Sequence, residues 1–197
     1  GNPALALTRS RIRHYSVMAM PPELKKTQIR KHNLLFMRRL LALALLVVLT
    51  SFAAMAQQMS RLEALYLFNF AKNTSWAGTD EDAPLNIAVV GDKAVARDLR
   101  TITKNKRVGS RPVAILESAS AQGLSGVDVI FLGGAKAAQI ETLVSEQAGN
   151  KVLIVSATEG HCARGADIAF ELVRGKFSYA ISKGNIESHG LSVTKML

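Results

Sequence analysis

The chain has 197 residues, with 25 Lys and Arg against 15 Asp and Glu, a formal net charge of +10. A balance of that kind points to nucleic acid only when the basic residues belong to the folded part. Here nine of them precede Gln57, against the single acid Glu23, and the remainder carries 16 basic and 14 acidic residues, which leaves no nucleic-acid footprint; Cys162, the one cysteine, excludes an intrachain disulfide.

Residues 1–36 lack apolar periodicity and read as upstream sequence rather than a domain. Met37-Arg38-Arg39 is a charged start, and an apolar run follows from Leu40 to Leu49. Ala54-Met55-Ala56 then supplies the small residues that signal peptidase needs, so the expectation is a signal peptide over 37–56, cleaved between Ala56 and Gln57. The rival is an uncleaved anchor, because Leu40 to Ala56 approaches the roughly 20 residues that span a bilayer. Residues 57–197 are enough for one domain with its own core.

The domain opens on Ala64-Leu-Tyr-Leu-Phe-Asn-Phe-Ala-Lys-Asn-Thr-Ser-Trp76. Ser60 with Glu63 three residues on has the spacing of a capping box and predicts a helix start. Leu62, Leu65, Tyr66, Leu67, Phe68 and Phe70 cover most of the circumference, so this helix should be largely buried, with Asn69 its polar exception. An acidic loop follows Trp76. Leu85–Val90 is a strand closed by Gly91-Asp92, where Asp92 can cap a helix carrying Val95, Leu99 and Ile102. Lys104–Ser110 reads as a basic loop and Pro112–Leu116 as a second strand.

Val127–Leu132 is almost wholly apolar, as strands buried on both faces are. Gly133-Gly134 should turn into a helix running to about Ala148, and Lys151–Val155 should be the fourth strand. The period then changes. Ile168, Phe170 and Leu172 alternate, as do Phe177, Tyr179 and Ile181, with Val173-Arg-Gly-Lys176 between them as a tight antiparallel hairpin. Ser182 should start a short helix that ends at Gly190. The fold expected is α/β: one domain with a mostly parallel sheet of about six strands flanked by helices, and a C-terminal antiparallel hairpin.

No catalytic constellation emerges. His161 and Cys162 are adjacent, which rarely aims two side chains at one atom, and no third, orienting group is near in sequence. Four histidines, two of them before Gln57, make a poor zinc set. Gly133-Gly134 without further glycines or a Lys-Ser/Thr is a weak anion cradle, and Asp80-Glu-Asp82 is a solvated turn before it is a calcium loop. No cofactor and no metal are expected, and Cys162 reads as an unpaired, unreactive thiol. Lys104, Lys106 and Arg107 form a solvated loop or a candidate partner contact.

The pattern Tyr66-x-Phe68-Asn69-Phe70-x-Lys72, then Trp76, resembles the opening of the YfiR-like periplasmic repressors. The similarity continues through Gly91, the Arg111-Pro112 turn, Phe170 and the ending Asn185…Gly190-Leu191. It departs at Ala77, where the family commonly has proline, and at Gly165-Ala166 in place of Gly-Gly. Some members also carry cysteine pairs. The resemblance implies a non-enzymatic periplasmic homodimer that binds the periplasmic sensor part of an inner-membrane diguanylate cyclase and represses it, lowering cyclic di-GMP and biofilm formation. The signature residues are then mainly structural. The alternative is a periplasmic module that binds a small ligand in the crevice beyond the strand carboxyl ends.

Overall fold

The structure is a computed structural model that describes the backbone of residues 22–193 except 77, 79 and 81, and side chains from residue 36 onward except, in addition, 49–54. The reading of residues 1–21 as upstream sequence lies outside the described residues, as do Glu81 of the acidic turn, the last four residues and the side chain of Ala54 in the cleavage triplet. Contacts divide the chain into two units, Gly1–Ser51 and Phe52–Leu197. In the first, the described side chains from Phe36 to Val48 are exposed. Among the described residues no helix is long and apolar enough to cross a membrane.

Helix α1 spans Pro22–Asn73, so Ser60 does not start it. No glycine or proline interrupts the chain between Pro22 and Asn73, and the Ala-Met-Ala-Gln-Gln-Met approach to Ser60 consists of good helix formers, so the backbone has no reason to break there. The Ser60 hydroxyl instead lies 2.6 Å from Asp98 Oδ2 and 3.1 Å from the Gln57 carbonyl, both of which can accept its proton. The helix also buries less than its composition suggests. Ala64, Leu67, Phe68, Phe70 and Ala71 form the inner stripe, while Leu65 faces out and Tyr66 and Asn69 are half-buried. A stripe of that width is what one helix can bury against one sheet.

Beyond Trp76 the chain alternates strands and helices. β1 (Thr74–Trp76), β2 (Leu85–Val90), α2 (Lys93–Thr103), β3 (Arg107–Val108), β4 (Arg111–Ser118) and β5 (Val129–Leu132) lead to a 3-10 turn at Gly134–Gln139. Then come α3 (Ile140–Glu146), β6 (Leu153–Ser156), a 3-10 turn at His161–Arg164, β7 (Ile168–Val173), β8 (Lys176–Ile181), α4 (Lys183–Ser188) and β9 (Leu191–Val193). The helix expected from Gly133-Gly134 begins as a 3-10 turn, and Gly133 before it offers no side chain to cap the first amides. Asp92 does cap α2, accepting from the amides of Ala94 and Val95 at 3.0 Å.

Seven strands form one sheet in the order β3-β4-β2-β5-β6-β7-β8, parallel from β4 to β7 with an antiparallel strand at either side. The fold is thus the mixed α/β single domain with a mostly parallel sheet that the pattern predicts. The seventh strand is β3, hidden in what reads as a loop. Two residues suffice because the Gly109-Ser110 turn, with Gly109 at φ +60°, folds Val108 directly against Arg111. The second addition is a separate ribbon in which β1 pairs antiparallel with β9 and Trp76 lies opposite Leu191. β7 and β8 join through Arg174 (φ +53°) and Gly175 (φ +74°), two left-handed residues as a tight hairpin requires.

Two cores flank the sheet. One packs α1, α2, Ile186 of α4 and Leu191 against Ile87, Val89, Phe131, Val155 and Phe170. The other packs Ile140 and Leu143 of α3 against Ala88, Val90, Ile130 and Ile154. Alternate residues of β2, β5 and β6 serve alternate cores, which is why these strands read as continuous apolar runs.

Candidate docking site

Tyr66 and Phe70 of α1 stack on the inner face of the hairpin. Tyr66 lies 5.3 Å from the Phe177 ring and 5.5 Å from Tyr179, and Phe70 lies 5.0 Å from Tyr179 and 5.9 Å from Phe170. Above this aromatic cluster the surface sinks into a depression of about 260 Å³. Its apolar floor is Met59, Ala157, Phe170, Leu172 and Phe177, and its rim is acidic, with Glu63, Glu159 and Glu171. Burial, and then the nearby Asp92 carboxylate, push Glu63 up to about 7. A carboxyl poised there changes charge around neutral pH. Leu172, 58% exposed, and Ile181 extend apolar surface along the hairpin. The site suits an apolar side chain accompanied by a cation. Among the described residues no three His, Cys, Asp or Glu are grouped to hold a metal ion.

The signature residues make contacts within the fold. Trp76 meets Leu191 in the ribbon, and Gly190, at φ +65°, makes the turn into it. Asn185 donates to the carbonyls of Cys162 (3.0 Å) and Ala166 (2.7 Å), tying α4 to the 3-10 turn. Lys72 places its ammonium 5.9 Å from the Phe68 ring centre, and Asn69 accepts from Asn73 Nδ2 at its carbonyl. Arg111 donates to both Asp128 oxygens (2.9 and 2.8 Å) and to the carbonyls of Ala83 and Pro84. Pro112 follows it in β4, opposite Arg107.

Gly91 (φ +73°) lies under the aliphatic stem of Lys136, and a Cβ there would come within 2.3 Å of Lys136 Cγ. At this carboxyl end of the sheet the Lys136 stem covers Gly91, and a depression of about 350 Å³ remains beside it, lined by Val89, Asp92, Glu117 and Ser118. Of the basic trio, Lys104 is exposed on the turn after α2, Arg107 is in β3, and Lys106 sits 5.3 Å from the Phe68 ring centre. Ala56 and Gln57 are exposed positions within α1.

Two polar pairs have no short-range sequence signal. The first resembles a nucleophile dyad, since Ser156 Oγ is 2.7 Å from His161 Nδ1. Arg164 Nη1 faces His161 Nε2 at 3.3 Å and can only donate, so Nε2 accepts and Nδ1 carries the proton. Ser156, fully buried, therefore accepts from His161 and cannot be deprotonated by it. Burial, then the Arg164 charge, keeps this imidazole neutral by lowering its pKa. The neighbouring Cys162 thiol is pushed up, chiefly by burial.

The second pair is Asp167, fully buried, and His189, whose Nδ1 lies 3.0 Å from Asp167 Oδ1 while Oδ2 accepts from the Ile154 amide. The Asp167 hydrogen bond raises the His189 pKa, outweighing burial, which lowers it. A base whose folded pKa is raised contributes stability that is complete below its unfolded value of 6.5 and is lost as pH climbs through the folded value. The chain should therefore lose melting temperature as pH rises above 6.5, and His189→Gln should flatten that decline. Parallel pH profiles of variant and parent would show the pair uncharged.

No curated protein matches the chain. Residues 60–197, which cover both sheets, α2 to α4 and the end of α1 that packs on the hairpin, match the family described as YfiR/HmsC-like.

Proposed function

We propose, because this chain belongs to the YfiR/HmsC-like family, that it is a periplasmic regulator that binds the sensor part of an inner-membrane diguanylate cyclase and holds it inactive. The observation that carries the reading is the extent of the match, which takes in every strand of the domain rather than one motif. The buried, wrongly oriented Ser156-His161 pair supports a role in binding rather than turnover, and the hairpin depression supplies the contact. A regulator outside the membrane reaches a cytoplasmic product only by biasing its partner's conformation, to the extent of its differential affinity for the two states. Moving a partner from 99% active to 99% inactive takes about 5.5 kcal/mol. Surface ion pairs at about 0–1 kcal/mol each do not reach that, whereas burying Leu172, Met59 and Phe177 with a few neighbours does.

The test is genetic. Deleting the gene should raise cellular cyclic di-GMP, and supplying the chain should restore the low level. Leu172→Lys, at an exposed position, should leave the melting temperature within about 2 °C and abolish the restoration. An unchanged cyclic di-GMP level on deletion overturns the regulatory reading. Full restoration by the variant removes the hairpin from the contact.

A further inference from the structure

At the opposite side of the sheet β4 is only partly covered. β3 pairs with Arg111 and Pro112 alone, and among the described residues no strand pairs with the outer side of Val113–Ser118. The direction of the free groups follows from alternation. The Ser118 carbonyl accepts from Gly91 N–H at 2.9 Å and so faces β2, while Arg111 faces β3. The N–H and C=O groups of Val113, Ile115 and Glu117 therefore point outward along the edge. Natural sheets blunt such an edge with charge, proline or a covering element. Here the five positions after Pro112 are Val, Ala, Ile, Leu and Glu.

The two faces flanking the edge differ. Val113 and Ile115 lie on the α2 side, where they floor a depression of about 450 Å³. Its rim carries Arg100, Lys104, Lys106 and Arg107 and no acid. On the other side Leu116 stands beside Ala88 and is 45% exposed, with Ala114 half-buried next to it. A strand laid on this edge would point alternate side chains at the cationic rim and at Leu116.

We infer that the free edge of β4 is a strand-addition site for an extended polypeptide segment of a protein partner in which acidic and apolar residues alternate. This goes beyond the hairpin contact and does not depend on it. Main-chain hydrogen bonds would give the segment its register, and the two unlike faces would select its sequence. A second copy of this chain fits poorly. Antiparallel pairing of β4 with itself about Ile115 sets Val113 against Glu117 of the other copy. That brings Lys104 and Arg107 beside the other copy's Arg100, whose neighbour Glu117 is already ion-paired to it.

The test uses the full chain and an eight-residue peptide of alternating glutamate and leucine, with the lysine–leucine peptide as control. The acidic peptide should slow amide exchange at Val113, Ile115 and Glu117 at least tenfold, and the basic one should not. Lys104→Glu with Arg107→Glu should weaken binding of the acidic peptide about tenfold, and Leu116→Lys by a similar factor. Each variant should leave the melting temperature unchanged, since all three residues are exposed. Exchange unaffected by the acidic peptide, or slowed equally by both, overturns the inference. Exchange that is already slow without peptide and slows further with protein concentration also overturns it, because the edge then belongs to a second copy.

Discussion

Replacing Phe70 with alanine is expected to destabilise the domain by about 3–5 kcal/mol and to lower its melting temperature by about 10 °C. The ring is 3% exposed and touches Tyr66, Phe170 and Tyr179 at once, so it joins the opening helix to both strands of the hairpin. A cavity there has rigid walls, because its neighbouring rings are held by others: Phe170 by Phe131 at 6.0 Å, and Tyr66 by Phe177 at 5.3 Å. Such a site collapses poorly, and its cost falls toward the upper end of the range. Phe70→Leu, which keeps most of the volume, should cost less than half as much. Thermal melts of the two variants decide the matter, and an unchanged midpoint in the alanine variant would show that the aromatic cluster is not packed.

Asp128→Ala should be equally severe, by about 3–5 kcal/mol, for a different reason. The substitution removes no large volume. It leaves the Arg111 guanidinium, whose side chain is 11% exposed, without its two-pronged acceptor, and it takes the acceptor from the Asn86 amide. Removing Arg111 as well should restore much of the loss, since the harm lies in a charge left alone away from water rather than in the absence of the pair. Chemical denaturation of the two single variants and the double one measures that coupling. Additive losses would mean that the two residues stabilise the fold independently.

The sequence makes most of this legible where the cause is local. The runs at 85–90 and 127–132 read as strands, the second as one buried on both faces, Asp92 read as a cap for what followed it, and Val173-Arg-Gly-Lys176 read as a tight hairpin. What was not legible depends on residues far apart in the chain. The β1–β9 ribbon pairs two stretches too short to carry a pattern, and β3 consists of two residues that become a strand only because Gly109 folds them onto β4. The capping reading at Ser60 failed because a cap requires a break upstream, and the residues before it favour continuing the helix. Of the candidate site, Glu63 was visible only as a capping partner, while Glu159 and Glu171 gave no sign of converging on Leu172. One clue went unused. Asp128 is the lone acid within an otherwise apolar strand, a position that calls for a buried cation such as Arg111.

The ribbon that sets Trp76 against Leu191 also has a bearing on how the chain reaches its native state. Residues 77 to 190 lie between its two strands, so closing it early would be entropically costly; once the sheet has formed, the two ends are already neighbours. It should therefore zip last, after the hairpin and the parallel strands are in place. A nascent or truncated chain that stops short of Leu191 would hold a nearly complete sheet yet leave Trp76 without its cover. Since this is the only tryptophan in the sequence, its emission reports the burial that the ribbon completes. A refolding trace followed by fluorescence should lag one followed by far-ultraviolet dichroism.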